Sequence, residues 1–174
     1  MIFTTPIDKK VLKDLKAGEE ILISGTIYTA RDSAHKLLTQ LISEGKQLPF
    51  ELKGSIIYYA GPAPTKPGEI VGSIGPTTSY RMDPYTPDIL NEGAAILIGK
   101  GSRSKLVKSS LLKNNAIYCA ALGGAGALLA SKVKSISVVA FPELGPEAIY
   151  KLEVENFPVI VVNDLEGNDI YESH

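Results

Sequence analysis

The sequence predicts an α/β fold of the β/β/α kind, three layers in which mixed and parallel sheets carry helices. Two observations lead there. Between residues 94 and 140, three short apolar runs alternate with helix-patterned segments, which is the pattern of parallel βαβ units. The first 75 residues are instead rich in β-formers and turns, which departs from a plain doubly wound sheet. The length, 174 residues, suits a single domain over 1–174 with a core that needs no staples.

The elements follow in order. Residues 8–15 are short and charged and suit one helical turn. Residues 20–30 form a strand, and Gly25 in its middle predicts a bend or bulge. The clearest helix follows: Ala34, Leu37, Leu38, Leu41 and Ile42 make one apolar stripe at helical spacing. Asp32 or Ser33 is expected to cap its start, and Gly45 sits where a C′ residue belongs. Residues 55–60 read as a buried strand that runs into a proline-rich loop over 61–67. A short strand is expected at 69–74, and a helix at 86–93 with Pro87 in its first turn. Then come a strand at 94–99, a helix at 104–114, a strand at 116–121, a short helix at 127–133, and strands at 136–140 and 158–162.

Composition excludes several functions. A net charge of −1 gives no basic field for nucleic acid. The apolar runs at 117–126 and 127–130 are interrupted by glycine or too short to span a bilayer. The first residues, Met1 to Pro6, carry no basic stretch followed by a long apolar one, so they do not resemble a secretory leader. Cys119 is the one cysteine, which rules out an intrachain disulfide and suits a reducing cytoplasm. It also rules out a cysteine-held cluster within this chain, and its place in an apolar strand makes it a packing thiol. The two histidines, His35 and His174, are far apart, so no metal site of this chain's own is expected.

Chemistry concentrates on loops between strands and helices. Arg31 lies where a strand hands over to a helix N-terminus, with unpaired N–H groups and a positive dipole end beside it. That combination suits a carboxylate or phosphate, though a surface pair with Asp32 is the competing reading. In the run Gly75-Pro76-Thr77-Thr78-Ser79-Tyr80-Arg81-Met82-Asp83, three hydroxyls follow a turn, and Arg81 can grip an anion bidentately. A capped loop with a solvated Arg81 is its alternative. Gly99-Lys100-Gly101-Ser102-Arg103-Ser104 follows a strand and precedes a helix, the location where α/β sheets bind ligands. It lacks the upstream glycine of a nucleotide phosphate loop, so nucleotide hydrolysis is excluded. Gly123-Gly124-Ala125-Gly126-Ala127 misses a dinucleotide fingerprint, because Leu129 stands where the last glycine is needed. His35, one turn into its helix, reads as a structural donor. Arg31, Arg81 and Lys100 thus place cations on three loops beside a hydroxyl cluster. Such a set suits a small dianion and resembles half of a site.

The motifs resemble one family. Ala-Arg-Asp-Ser-Ala-His-Lys at 30–36, Tyr-Ala-Gly-Pro at 59–62, the Gly-Ser-Ile-Gly-Pro-Thr-Thr-Ser-Tyr-Arg-Met-Asp run at 72–83, Gly-Lys-Gly-Ser-Arg at 99–103 and Gly-Gly-Ala-Gly-Ala at 123–127 carry the likeness. They are similar to the β subunit, or C-terminal domain, of class I iron–sulfur fumarate hydratases, and to L-tartrate dehydratase β subunits. The likeness implies a swivelling β/β/α domain. It also implies a larger α subunit, paired as a heterodimer or α2β2, that holds a [4Fe–4S] cluster with one iron open to substrate. Arg31, Arg81 and Lys100 would then hold the carboxylates of malate or fumarate. Thr77 would move the proton at C3, helped by an acidic residue of the α subunit, with Asp32, His35 and Thr78 in support. The cluster would activate the departing hydroxyl. A free threonine is too weak an acid to ionise at neutral pH, so Thr77 needs neighbouring cations or a partner base. Tyr80 stands where many relatives carry a small residue, which bears on substrate choice. The chain begins near the edge of the domain, which favours separate subunits. A non-catalytic anion-binding module is the reading from a different class.

Overall fold

The computed structural model describes residues 1–121 and 126–172. It contains β1 (Ile2–Thr4), β2 (Glu20–Thr29), α1 (Asp32–Ser43), β3 (Ile56–Tyr58), α2 (Thr86–Asn91), β4 (Ile96–Gly99), α3 (Lys105–Lys113), β5 (Ile117–Ala120), α4 (Gly126–Ala130), β6 (Val133–Ala140) and β7 (Ile149–Asn163). Short 3-10 turns at Lys9–Leu12, Ser79–Met82 and Pro142–Glu147 complete the described elements.

The strands lie in the order β1-β2-β3-β4-β5-β7-β6, and a further pairing of β2 with β7 closes the sheet into a barrel-like ring. β1 to β5 pair in parallel with one another, whereas β7 runs antiparallel to β2, β5 and β6. Alternation along the strands builds two cores. Ile56, Tyr58, Ile96, Ile98, Ile117 and Cys119 join Ile21, Ile23, Leu152, Phe157 and Val159 in one cluster, drawn from every strand of the ring. Ile57, Leu97 and Tyr118 face the other way and pack with Ala34, Leu38, Ile89, Leu90, Val107 and Leu111 of α1, α2 and α3. Both faces of β3, β4 and β5 are therefore covered, which is why these strands read as continuous apolar runs. Truncating a buried leucine such as Leu38 would cost about 2–5 kcal/mol.

The α/β expectation stands, with the strands in one closed sheet. Gly25 is the bulge that its position in the strand predicts. The β2–β7 register shifts between Ile23 and Gly25, and Gly25 has φ +105° with its absent Cβ position 2.4 Å from Thr5 Oγ1. α1 ends as expected: the Gly45 N–H donates to Ile42 O and the Lys46 N–H to Leu41 O, and Gly45 has φ +68°.

Other expectations fail for identifiable reasons. Arg31, not Asp32 or Ser33, is the N-cap of α1 and makes no side-chain cap. Asp32 turns its carboxylate toward Arg81, and Glu147 Oε1 accepts from the Ser33 N–H instead, at 3.2 Å. Residues 69–74 form no strand: the Ile74 N–H donates to Gly126 O and Ser73 O accepts from Ala63, both outside any ladder. The third strand of the supposed parallel run, β6, is antiparallel to β7, because β7 takes the position beside β5. β7 begins at Ile149, nine residues before the expected 158. Its first half alternates, with Leu152 and Val154 inward and Lys151, Glu153 and Glu155 outside that core.

Candidate functional site

Because β2, β3, β4 and β5 are parallel, their carboxyl ends open at one end of the ring. Ligands bind at such ends in α/β sheets. Arg31 follows β2, Tyr59 follows β3 and Lys100 follows β4. The segment after Ile74 lies across these ends. The Thr77 N–H donates to Tyr59 O at 2.7 Å, Thr78 and Lys100 form an isolated parallel β-bridge, and the Ser79 N–H donates to Lys100 O at 2.9 Å. The chain then enters the turn Ser79–Met82, with Arg81 on it.

The sequence-predicted residues fall into two joined groups. Thr77, Thr78 and Lys100 form one, through these backbone bonds; the two threonines are half-buried and Lys100 is exposed. Arg31, Asp32, His35 and Arg81 form the other. Arg81 Nε donates to Asp32 Oδ2 at 3.0 Å. The Arg31 carbonyl accepts from the His35 backbone N–H at 2.9 Å and from His35 Nδ1 at 2.8 Å. A carbonyl can only accept, so Nδ1 carries the ring hydrogen. Burial pushes the His35 pKa down to about 4, so the ring is neutral at physiological pH. His35 is thus the structural donor its position suggests. It fixes the backbone from which the Arg31 side chain departs.

Two features mark the Arg31 side chain. Gly61 leaves room for it: a Cβ there would stand 3.4 Å from Arg31 Cδ and 2.6 Å from Pro146 O. Arg31 Nε is buried and has no hydrogen-bond partner among the described residues, as is also true of Asp32 Oδ1. A buried, unanswered guanidinium nitrogen is costly unless an acceptor arrives, and a carboxylate is such an acceptor. Tyr80, beside Arg81, stands 63% exposed.

Beneath the loops lies a polar network centred on a fourth cation, Arg103. Arg103 is 4% exposed. It donates from Nε to Asp83 Oδ1 at 2.8 Å, from Nη1 to Tyr59 Oη at 3.1 Å and from Nη2 to Thr86 Oγ1 at 2.8 Å. Its Cζ lies 5.1 Å from the Tyr59 ring centroid and 4.8 Å from that of Tyr118. Burial opposes its charge, but the oxygens of Tyr59 and Asp83 outweigh this and hold its pKa above the ordinary value. Tyr118 Oη shares a 2.6 Å hydrogen bond with Ser79 Oγ and donates to Gly101 O at 2.8 Å. No spacing in the sequence separates this arginine from a solvated one. Its signal is an arginine directly before the helix cap Ser104, in a loop preceded by a buried strand.

The residues present do not fit an iron–sulfur cluster. Cys119 is buried in the barrel core, and burial pushes its thiol far above the usual range. Among the described residues no group of three or more His, Cys, Asp or Glu could hold a metal ion. Of the 123–127 motif, residues 123–125 lie outside the described residues. Gly126 is close-packed: a Cβ there would come within 2.2 Å of Ser73 Oγ and 3.1 Å of the Gly75 nitrogen. No helix among the described residues is long and apolar enough to cross a membrane.

Comparison with known proteins gives a consistent result. Fumarate hydratase 2 of Leishmania major is 43% identical over 170 residues, covering 95% of this chain and 30% of that protein. The anaerobic class I fumarate hydratase of Escherichia coli K12 is 43% identical over 170 residues, covering 94% of this chain and 31% of its own length. The chain therefore spans about a third of the length of these relatives. A putative L(+)-tartrate dehydratase subunit beta of Methanocaldococcus jannaschii is 42% identical over 172 residues and is covered over 88% of its length. Residues 2–174 match the family described as Fumarase C-terminus. With nearly the whole chain matched by that family and by a relative of almost its own length, this protein belongs to the fumarase C-terminus family.

Proposed function

We propose that this chain is the β subunit of a two-subunit iron–sulfur hydro-lyase that interconverts (S)-malate and fumarate. The observation that carries the reading is the gathering of Arg31, Thr77, Arg81 and Lys100 onto segments tied together at the carboxyl ends of β2, β3 and β4. The closed sheet with helices over one face supports reading it as a swivelling β/β/α domain.

In this proposal Arg31, Arg81 and Lys100 hold the two carboxylates of the substrate. Dehydration removes a proton from C3 and hydroxide from C2, forms the C2–C3 double bond and releases water. Negative charge grows on the carboxylate next to C3 as the proton leaves, and the cations lower its cost. Thr77 carries the C3 proton, with a partner base to relay it, since a lone hydroxyl is too weak an acid for the task. Asp32 and Thr78 support the cations from beside them, and His35 supports Arg31 from beneath. In this proposal a partner chain would hold the [4Fe–4S] cluster, which the described residues do not fit, and no step of this chain's chemistry runs through Cys119. The name of the Methanocaldococcus relative, a subunit beta, supports an α partner, in a heterodimer or α2β2. A lone buried thiol suits the cytoplasm.

L-tartrate is the second substrate reading, favoured by that same relative. The test is anaerobic co-expression with a cluster-bearing α chain, followed by absorbance assays with malate and with tartrate, each chain also assayed alone. Malate turnover by the mixture only supports the proposal. Preference for tartrate moves the assignment within the family. A stable complex with an intact cluster and no turnover of either substrate returns the chain to non-catalytic anion binding.

A further inference from the structure

We propose that Arg103 is a positioning residue that sets the three substrate-facing segments of the site relative to one another. The inference rests on the proposed hydro-lyase function and concerns a residue that would not touch substrate.

Two contacts of the Arg103 guanidinium lead to different members of the site, and the third, from Nη2 to Thr86 Oγ1, ties it to the start of α2. Asp83, which accepts from Nε, is the C-cap of the 3-10 turn that bears Arg81. Tyr59, whose hydroxyl accepts from Nη1, holds the Thr77 N–H on its own carbonyl. Arg103 itself closes the loop that begins at Lys100, and Asp83 Oδ2 accepts from the next backbone N–H, that of Ser104, at 2.9 Å. The far end of the same loop is fixed separately, by Ser79 on Lys100 O and by Tyr118 on Gly101 O. The loops bearing Lys100 and Arg81 are thus joined at two points, and Arg103 is the second.

The chemistry of the group suits that task. A guanidinium is planar, and three bonds from its rigid fork fix orientation as well as distance. Burying such a charge is costly unless every partner is in place. An apolar side chain of similar volume would fill the space without setting the angle between the loops. A lysine would keep the charge as a single point on a flexible stem.

Two measurements on Arg103→Lys test this. The first is hydrogen exchange on the chain itself. The Thr77 and Ser104 amides should lose protection on the order of tenfold, while the Ser79 amide, at the separately fixed end, and amides of β4 and β5 keep theirs. Unchanged protection at both of the first two amides, or an equal loss throughout the barrel, overturns the proposal. The second is kinetics of the assembled enzyme, alone and combined with Lys100→Ala. Arg103→Lys should raise KM and lower kcat/KM by about ten- to a hundredfold, since small displacements of positioned groups have effects of that size. The loss should be clearly smaller in the Lys100→Ala background, because Arg103 acts partly through Lys100. A fall in kcat with KM unchanged, matching a lower folded fraction, or the same loss in both backgrounds, would make Arg103 merely structural. Absence of malate and tartrate turnover in the parent enzyme would defeat the functional reading instead, and the exchange data would still decide whether Arg103 holds the loops.

Discussion

Arg81 donates its Nε–H to Asp32 Oδ2 at 3.0 Å, and among the described residues its two Nη groups take no partner. One edge of the guanidinium is anchored and the fork that matches a carboxylate is left open. The side chains are 44% and 32% exposed, so the pair contributes under about 1 kcal/mol to stability. Its value lies in orientation. Asp32→Ala should therefore leave the melting temperature nearly unchanged while raising KM for the dicarboxylate several-fold. Thermal melts and steady-state kinetics check this; an unchanged KM would remove Asp32 from any supporting role.

Arg81 and Thr77 should fail in different ways. Arg81→Ala removes a charged hydrogen-bonding fork, a contact of about 1.5–3 kcal/mol, so kcat/KM should fall on the order of ten- to a hundredfold. Thr77→Val keeps the shape and the Thr77–Tyr59 backbone bond but loses the hydroxyl. Assembly should persist while kcat falls by roughly a hundred- to ten-thousandfold, the range for a lost proton carrier. Near-normal turnover of Thr77→Val would end its assignment.

How much of this was legible in the sequence depended on whether the signal was local. The α1 stripe, the Gly45 terminus and the Gly25 bulge are set by residues within a few positions, and all three are found. The cap of α1 is not legible locally, because Asp32 answers Arg81, 49 residues away, and Glu147 accepts from the Ser33 N–H from 114 residues away. Closure of the sheet depends on β2 pairing with β7 across more than a hundred residues, which no periodicity encodes. The early half of β7 carries a local signal, since Leu152 and Val154 alternate with charged residues, but it is weaker than that of the apolar run 158–162. The candidate cations stood out as charges on loops. Arg103 did not, because its importance lies in burial, which a charged residue's letter does not announce.

Gly99 offers a test of how tightly the two loops are locked. A Cβ there would stand 1.9 Å from Ser79 Oγ and 2.7 Å from Tyr59 Cδ2. Ser79 cannot simply swing away, since it is fully buried and its hydroxyl is bound to Tyr118. Gly99→Ala should therefore cost about 1–3 kcal/mol, as overpacking does elsewhere, and should loosen the Thr78–Lys100 bridge. Denaturant titration gives the first number and exchange of the Ser79 amide the second. A variant as stable as the parent would show that this corner has room to move.

His35 predicts the acid side of the stability curve. Burial is the main cause of its low pKa, the Arg103 charge adds to it, and the hydrogen bond to the Arg31 carbonyl opposes it. The pKa is 6.5 in the unfolded chain and about 4 in the fold. Between those values the unfolded state binds a proton that the folded state refuses. The contribution of a neutral His35 is therefore complete above pH 6.5 and is lost as pH falls toward 4, by on the order of 3 kcal/mol. Asp164 and Asp169, whose pKa values are held down by hydrogen bonds against the opposing effect of burial, also lose stabilising influence in acid. The comparison must then be with His35→Asn, which keeps a side-chain N–H for the Arg31 carbonyl and cannot titrate. Denaturant unfolding at pH 7 and pH 4.5 should show the parent losing clearly more stability than the variant. Parallel losses would mean that His35 accepts a proton in the fold about as readily as in the unfolded chain.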